Sequence, residues 1–558
     1  MNVAQLLVKC LEKEGVKYIF GIPGEEVLDI MDALQESPIQ FITVRHEQGA
    51  AFMADVYGRL TGHAGVCLST LGPGATNLVT GVTDANSDGA PLVAITGQVS
   101  TDKLHLTAHQ YLDINRMFAP ITKRTKEVLN PETEEEIVRL AFKYAENEMP
   151  GATHISIPVD IAKKEVSDEE VPLSRVPVSL RESADRTTIL EAYDLIKKAK
   201  RPILLVGNGA VRAFASAALT RFVKTLHIPV INTMMAKGVL SCDDPYYCCT
   251  VGLPLKDYGN IILEQADTVI AVGYDIVEYD PRNWNAKRNT TIVHIASMPA
   301  DINKYYQTAT QVVGYIPESL DELTYLLGRG DVKESDWALK IIEAATEDEA
   351  CYQEDTSFPM KPQKILMDAR KVMGEEDILI SDVGAHKMWV AREYPCFRPN
   401  TCLISNGFAS MGFALPGAIA AKLIYPKRKV LVVTGDGGLL MNIQELETAV
   451  RIHTPIVVLI FHDSSYGLIK WKQMDHFGRS CSVDFENPDF VLLAESFHAK
   501  GYRVTKSEDL IPILQDAFTQ DVPCLIDCPV DYEENLKLSA HLKEVYETYH
   551  SGELEGCK

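Results

Sequence analysis

The stretch from 429 to 472 reads KVLVVTGDGGLLMNIQELETAVRIHTPIVVLIFHDSSYGLIKWK and carries the pattern that decides the fold. Its apolar run 430–433 is typical of a buried strand and ends at GDGG, residues 435–438. A second apolar run, 456–461, ends at HDSS, residues 462–465. Between the two runs a helical pattern predicts one helix, with an apolar face at Leu439, Leu440, Ile443, Leu446 and Val450. A strand–helix–strand unit places both strand ends side by side, where doubly wound sheets bind ligands.

The two strand ends carry the chemistry of a magnesium diphosphate site. Glycines let backbone N–H groups approach phosphate oxygens, and the N-terminus of the following helix favours negative charge. Asp436 and Asp463 supply hard oxygen ligands, and Mg²⁺ prefers a few carboxylates together with phosphate oxygens. GDGG alone more often marks an ordinary turn from a strand into a helix, so the second carboxylate decides the interpretation.

Together these two motifs resemble the cofactor motif of thiamine-diphosphate enzymes. The resemblance implies thiamine diphosphate and Mg²⁺ as cofactors, with Asp436, Asp463 and the backbone carbonyl of Ser465 as the metal ligands. Many relatives have NDNGYG where this chain has HDSSYG, residues 462–467. If the register were one residue later, Ser464 would replace Asp463 as a ligand.

Composition excludes several classes of function. The chain has 558 residues, 46% hydrophobic and 23% charged, and a net charge of −23 that argues against nucleic acid as a partner. Its first residues carry lysines and acids, unlike a signal peptide, and no apolar run is long enough to cross a membrane. Its 12 cysteines include no CxxC pair. We therefore expect reduced thiols in a cytoplasmic protein.

Alternation of strand and helix patterns predicts an α/β protein with three doubly wound parallel-sheet domains. The predicted domains are 1–166 at the N-terminus, 187–345 in the middle, 360–535 with the GDGG motif, and a tail, 536–558, with a helix and a mobile end. Charged stretches at 166–185 and 347–359 read as linkers. The resemblance assigns the cofactor pyrimidine to the first domain and the diphosphate with Mg²⁺ to the third.

Glu47 opens a small-residue helix in RHEQGAAFMADVYGR, residues 45–59. An acid at this position can simply complement the helix dipole. The resemblance instead implies that Glu47 hydrogen-bonds N1′ of the aminopyrimidine and so favours the tautomer that removes the C2 proton of the thiazolium. It also implies that His109 and Gln110 lie near the reacting centre and orient a keto acid.

The same resemblance implies further cofactor contacts. Met411 would support the bent cofactor from below, the carbonyl of Ala409 would accept from the 4′-amino group, and His386 would donate to the diphosphate. The remaining contacts that it implies are Gly72, Asn77, Gly384, Ala385, Gly435, Asp436, Gly437, Gly438, Tyr466, Gly467 and Leu468.

Within the thiamine-diphosphate enzymes, the segments FGIPGEE, LGPGATN and ELETAVR are similar to the catalytic subunits of acetolactate synthases, in particular the catabolic-like ones. We therefore expect condensation of two pyruvates to 2-acetolactate and CO2. The resemblance implies a homodimer or homotetramer with active sites at the dimer interface, where Glu47 of one chain meets Asp436 of another. It allows FAD in the middle domain, and we do not predict one.

Three departures from the branch concern the choice of the second substrate. Glu25 and Glu26 replace a common Gly-Ala pair, Leu106 replaces a common cation, and Lys472 stands where biosynthetic relatives have a tryptophan. A plain 2-keto-acid decarboxylase, another carboligase and a pyruvate oxidase stay open as alternatives. A nicotinamide-dependent dehydrogenase lacks the GxGxxG turn followed by an acid, and a regulatory binding module fits a full catalytic set least.

Overall fold

The computed structural model describes residues 1–167, 171–175, 182–253, 255–328, 336–350 and 352–551. Its named strands form three six-stranded sheets, and every pair of neighbouring strands is parallel. Helices connect the strands, as parallel pairing requires. The predicted α/β class with three doubly wound sheets is confirmed. The domain boundaries given above stay predictions.

The N-terminal sheet has the strand order β2-β1-β3-β4-β6-β5. Its strands are β1 (Tyr18–Gly21), β2 (Gln40–Thr43), β3 (Gly65–Ser69), β4 (Leu92–Gln98), β5 (Arg124–Glu127) and β6 (Ala152–Pro158). Its helices are α1 (Val3–Glu14), α2 (Leu28–Leu34), α3 (Glu47–Thr61), α4 (Pro73–Ser87), α5 (Ile114–Phe118), α6 (Glu134–Glu146) and α7 (Val159–Ala162). The order reverses between β1 and β3, so a ligand crevice lies at their carboxyl ends.

The middle sheet has the order β9-β8-β7-β10-β11-β12, which is the strand order of dinucleotide-binding folds. Its strands are β7 (Pro202–Val206), β8 (Val230–Thr233), β9 (Tyr247–Val251), β10 (Thr268–Val272), β11 (Thr291–Ala296) and β12 (Thr310–Val313). Its helices are α8 (Arg186–Lys198), α9 (Asn208–Arg212), α10 (Ser216–Leu226), α11 (Tyr258–Gln265), α12 (Ile316–Leu327) and α13 (Leu339–Ala350).

The third sheet, β14-β13-β15-β16-β18-β17, repeats the order of the first. Its strands are β13 (Ile378–Ser381), β14 (Cys402–Ile404), β15 (Val430–Gly435), β16 (Val457–His462), β17 (Lys500–Arg503) and β18 (Cys524–Pro529). Its helices are α14 (Pro362–Val372), α15 (Ala385–Glu393), α16 (Ala414–Ile424), α17 (Asp436–Asn442), α18 (Glu445–Arg451), α19 (Gly467–Phe477), α20 (Phe490–Ser496), α21 (Leu510–Ala517) and α22 (Glu533–Ser551). Gly435 is in register with Phe461, so the predicted neighbouring strand ends do meet.

Two local predictions need correction. The single helix expected between β15 and β16 is two helices, α17 and α18, and Asn442 at the end of α17 donates to the carbonyl of Gly412 at 2.8 Å. The predicted linker 347–359 begins inside α13, which runs to Ala350. Part of the predicted linker 166–185 and the end of the tail, 552–558, lie outside the described residues.

The first and third sheets share one hydrophobic core, which forms where α3 packs against α16. A side chain at Gly417 would meet Val56 at 2.7 Å, so a glycine is needed for this close approach. Phe52 and Phe413 pack edge to face in the contact, with ring centroids 5.6 Å apart, and both are fully buried. Removing either ring would cost about 3–5 kcal/mol. The small residues of both helices therefore fix one sheet against the other.

The C-terminal helix α22 packs back onto the body of the chain. Leu542 is buried among residues of the middle sheet, and Ser539 accepts a hydrogen bond from Trp471 in α19 at 2.8 Å. Across the described ranges, no helix combines the length and the apolar character that a membrane span requires.

Candidate active site

A cavity of about 170 Å³ opens at the carboxyl ends of β13, β15 and β16. It collects every residue of the third sheet that the sequence assigned to cofactor or metal, together with three that it missed, Val383, Ile469 and Tyr532. The predicted residues on its wall are Gly384, Ala385, His386, Ala409, Met411, Gly435, Asp436, Gly437, Gly438, Asp463, Ser465, Tyr466, Gly467 and Leu468. All of its lining residues lie between 383 and 532.

Asp436 is held rigidly at the wall of this cavity. It is the first residue of α17 and is buried. Its Oδ1 accepts from the backbone N–H of Gly437 at 2.8 Å. Its Oδ2 accepts from the backbone N–H of Ser464 at 2.6 Å and from Nδ2 of Asn487 at 2.8 Å. Donors that fix both carboxylate oxygens are typical of the surroundings of a metal-ligating carboxylate.

Asp463 lies on the same wall, close enough to Asp436 for the two charges to interact. Burial, together with the neighbouring Asp436 carboxylate, raises the pKa of Asp463 to about 7. A divalent cation between the two carboxylates would remove this repulsion. The described residues contain no group of three or more His, Cys, Asp or Glu side chains arranged around a metal. A cation here would therefore need backbone and ligand oxygens as well, which is the coordination that Mg²⁺ favours.

The loop after β16 supports Asp463 rather than Ser464 as the metal-site residue. Ser464 adopts φ +54°. Its hydroxyl lies 3.1 Å from Nε2 of His462 and 3.3 Å from Nδ2 of Asn487. Ser464 is absent from the cavity wall, whereas Asp463 and Ser465 line it. Sequence reasoning missed Asn487, and the turn Asn-Pro-Asp before α20 was the available signal.

His386 offers an unsatisfied hydrogen-bonding atom to an anion. It is buried, and burial lowers its pKa to about 3, so the ring is neutral. It lines the cavity, and its Nε2 has no hydrogen-bond partner among the described residues. A buried polar atom without a partner is costly, so a phosphate oxygen at Nε2 would satisfy the ring. The glycine-rich wall and this nitrogen together fit a diphosphate.

The turn that carries Ala409 and Met411 is backbone-strained. Ala409 has φ +57°, a conformation that costs an L-residue on the order of 1 kcal/mol or more. Gly412, with φ +85°, donates its N–H to Oδ1 of Asp382 at 2.9 Å. Such strain persists only where surrounding contacts impose it, and here it coincides with a predicted ligand contact.

Glu47 and its predicted neighbours form a second group at the N-terminal sheet. Glu47 is the first residue of α3 and is buried. Its Oε2 accepts from Nδ2 of Asn77 at 2.9 Å. The backbone of Gln110, at φ +56°, lies so close to Gly72 that a Cβ there would meet its carbonyl oxygen at 2.5 Å. His109 is exposed on the same loop. None of these residues lines the cavity at Asp436.

The start of α3 is also tied to the third sheet. Glu445, at the start of α18, is fully buried. Its carboxylate accepts from the backbone N–H groups of Arg45 at 3.1 Å and His46 at 3.0 Å. Burial raises the pKa of Glu445 to about 7. A single buried side chain thus fixes the two residues that precede Glu47.

The residues that differ from the acetolactate synthase pattern lie in different environments. Thr70 donates to Oε2 of Glu26 at 2.5 Å, whereas Glu25 is exposed. Leu106 and Lys472 are exposed, and neither lines the cavity. From α19, only Gly467, Leu468 and Ile469 reach its wall.

Three family models match successive parts of the chain. They describe the N-terminal, central and C-terminal domains of thiamine pyrophosphate enzymes and cover residues 1–117, 189–323 and 382–528. Each matched range contains most of one of the three sheets. The C-terminal match contains Asp436, Asp463 and the Ala409–Met411 turn.

Relatives named as acetolactate synthases match almost the whole chain. An acetolactate synthase of Bacillus subtilis is 38% identical over 96% of this chain and 94% of its own length. A catabolic acetolactate synthase of Raoultella terrigena is 37% identical over 97% of both chains. A probable acetolactate synthase large subunit of Methanococcus aeolicus is 35% identical over 96% of this chain and 93% of its own. With its three thiamine pyrophosphate enzyme domains, this chain therefore belongs to the acetolactate synthase family.

Proposed function

We propose that this protein condenses two molecules of pyruvate to 2-acetolactate with release of CO2, using thiamine diphosphate and Mg²⁺. The observation that carries the proposal is the cavity at the carboxyl ends of β13, β15 and β16. It unites the glycine-rich turn, two close carboxylates and an unsatisfied His386 nitrogen on one wall. Family membership and the names of the relatives support the reaction.

The residues present define how the cofactor would be held. Asp436, Asp463 and the carbonyl of Ser465 would bind Mg²⁺, and the backbone at Gly437 and Gly438 with His386 would bind the diphosphate. The bound cofactor supplies an electron sink that makes decarboxylation of a 2-keto acid possible. Proton transfer and orientation of the substrate would be carried out by residues of the chain.

Glu47 is the proposed acid–base residue. Because Asn77 occupies Oε2, Oε1 is the oxygen that would hold and return a proton at the aminopyrimidine ring. Gln110 and His109 would orient the incoming keto acid through amide and imidazole donors.

A second copy of the chain would complete the site, so we propose a homodimer or homotetramer. Glu47 does not line the cavity of its own chain, whose described wall lies between 383 and 532. Large apolar side chains at or beside the cavity are 41–48% exposed, as expected of a surface that a partner covers. These side chains are Phe408, Met441, Tyr466 and Ile469. A two-fold axis would then create two equivalent sites.

The direct test is product analysis with pyruvate as the only substrate. Purified protein is stripped of cofactor, reloaded with thiamine diphosphate and Mg²⁺, and assayed for acetolactate, acetaldehyde and hydrogen peroxide. Acetolactate with one CO2 per pair of pyruvates is the expected result. Acetaldehyde alone would assign a decarboxylase, and peroxide an oxidase. Sedimentation of the same sample at several concentrations tests the proposed dimer.

We further propose 2-keto acids as the small-molecule partners and the cytoplasm as the location. The ten cysteines that the structure describes form no disulfide, and seven of them are buried. Six of these seven, all but Cys396, have raised pKa values. In Cys402 the causes are the hydrogen bond to Cys396 and burial, and in the other five the main cause is burial. Such thiols are unreactive and suit a reducing compartment. Fractionation of cells with a tagged copy would test the location.

A further inference from the structure

The turn from Ser405 to Gly412, called here the 405–412 turn, is held by the N-terminal sheet of its own chain. It carries the strained Ala409 and Met411 of the cavity wall. Two acids at the end of α4, Asp84 and Asp88, reach it across the contact between the sheets. Neither acid lines the cavity at Asp436.

Asp84 acts on the turn through one hydroxyl group. Ser405, which is fully buried, donates its Oγ–H to Oδ1 of Asp84 at 2.6 Å. The same Oγ accepts the backbone N–H of Ser410 at 3.1 Å. Ser410 lies between Ala409 and Met411, so this chain of hydrogen bonds ends in the backbone of the predicted cofactor contact. Its first link is short, its second is of ordinary length, and the residue at its middle, Ser405, is fully buried.

Asp88 binds the backbone at the start of the turn. Its carboxylate accepts from the N–H groups of Asn406, at 3.0 Å, and of Gly407. A Cβ on Gly407 would lie 2.8 Å from Oδ1 of Asp88, so only glycine permits this approach. Arg59 donates to Oδ2 of Asp88 at 2.6 Å, the oxygen that also accepts from Asn406, and keeps the carboxylate in place.

More ionisable side chains surround the turn than one ion pair would require. Three buried acids, Asp55, Asp84 and Asp88, face two buried or nearly buried cations, Arg59 and Lys387. Asp55 and Asp88 pair with Arg59, while Asp84 approaches it only to 3.7 Å. A buried carboxylate that contributes little to pairing is costly, and its short bond is to Ser405. Burial of Asp84 at this cost in free energy indicates that Asp84 has a role in the geometry of the turn.

The other end of α4 touches Glu47. Asn77, in the second turn of the helix, donates to Oε2 of Glu47. We propose that Asp84 and Asp88 are positioning residues, through which α4 fixes the 405–412 turn in the same rigid frame as Glu47. This inference rests on the proposed function in so far as Ala409 and Met411 contact the cofactor. Asn77 and Asp88 are 11 positions apart on this helix, so their two contacts lie about 16 Å apart along its axis.

The decisive variant is Ser405→Ala, which removes the hydroxyl bridge and leaves the Asp55–Arg59–Asp88 cluster intact. Ser319→Ala, another buried serine with one hydrogen bond on a middle-domain helix, is the matched control. In cofactor-free protein, hydrogen exchange of a peptide spanning 403–413 should quicken about 10-fold or more in Ser405→Ala only. With cofactor, kcat should fall about 10- to 100-fold while KM for pyruvate stays within about 3-fold, because a misplaced contact affects the reaction more than binding.

A second pair of variants separates positioning from folding. Asp84→Asn keeps an acceptor for Ser405 and should retain slow exchange and most of kcat, whereas Asp84→Ala should behave like Ser405→Ala. If Ser405→Ala exchanges and turns over like Ser319→Ala, the proposal is overturned. It is also overturned if both Asp84 variants have a lower melting temperature but unchanged hydrogen exchange of the 403–413 peptide and unchanged kcat. Hydrogen exchange is measured without substrate, so it tests the positioning role of Asp84 even if the protein makes no acetolactate. Absence of acetolactate would refute the proposed function alone.

Discussion

Replacing Glu445 by glutamine should make the protein more stable relative to wild type as the pH rises. The carboxyl is fully buried, and burial raises its pKa from 4.5 to about 7. The native state therefore keeps this proton over a pH range in which the unfolded chain has lost it. The stabilisation is complete below the unfolded pKa and is lost as the pH rises through the native pKa.

The expected size follows from that difference in pKa. One pKa unit is about 1.4 kcal/mol, so wild type should lose about 2 kcal/mol from this group between about pH 5.5 and its native pKa. In a unit of 150–250 residues this corresponds to about 4–8 °C in melting temperature. Glu445→Gln cannot ionise and should lack this part of the pH dependence. The difference in melting temperature, variant minus wild type, should therefore rise by about 4–8 °C between about pH 5.5 and about pH 8.

Thermal melts of cofactor-free protein at the two pH values measure this difference. Glu447→Gln is the control, because Glu447 lies on the same helix, is 35% exposed and pairs with Arg451 at its surface. Its melting temperature should follow that of wild type at both pH values. An equal pH response in Glu445→Gln and wild type would refute the assignment of a proton to buried Glu445.

Three further predictions concern the proposed chemistry. Glu47→Gln should bind thiamine diphosphate nearly as wild type but turn over about 10²–10⁴-fold more slowly, and near-normal deuterium exchange at C2 of the bound cofactor would contradict its role. Asp436→Ala should abolish Mg²⁺-dependent cofactor binding and Asp463→Ala should weaken it in calorimetry, whereas loss of binding in Ser464→Ala alone would move the ligand register by one residue. Lys472 is exposed and gives the cavity no apolar wall, which would be worth only about 1–3 kcal/mol, so competition should show little preference for 2-ketobutyrate over pyruvate. A strong preference for 2-ketobutyrate would show that another residue supplies the wall.

What the sequence predicted well depends on local pattern. β15 and β16 are short runs of apolar and largely β-branched residues, each ended by polar or glycine residues, and such runs are buried parallel strands almost irrespective of context. Since parallel strands end at the same edge, Asp436 and Asp463 could be brought together without knowledge of any tertiary contact. The residues of the third domain that the sequence assigned to cofactor and metal therefore line one cavity, and their roles stay predictions.

What the sequence could not show depends on contacts between distant parts of the chain. Asn487 reaches Asp436 over 51 positions, and Glu445 reaches His46 over 399. In the sequence, Glu445 is one of two acids in a helix that carries polar residues on its exposed face, and nothing local distinguishes it from Glu447. The break between α17 and α18 has the same origin, because it separates residues that face the cavity from residues that face α3.

That break also explains why one chain holds only half of the proposed site. Asp436 begins α17 at the cavity, while Glu445, at the start of α18, binds the backbone just before Glu47. Because the two acids stand at the starts of two successive helices, the support of Glu47 lies away from the cavity of the same chain. The close packing of α3 on α16, with Gly417 against Val56, prevents either sheet from turning to bring them together. A second copy related by a two-fold axis can bring its own Glu47 to the open, apolar side of the cavity, and the first copy returns the same contact.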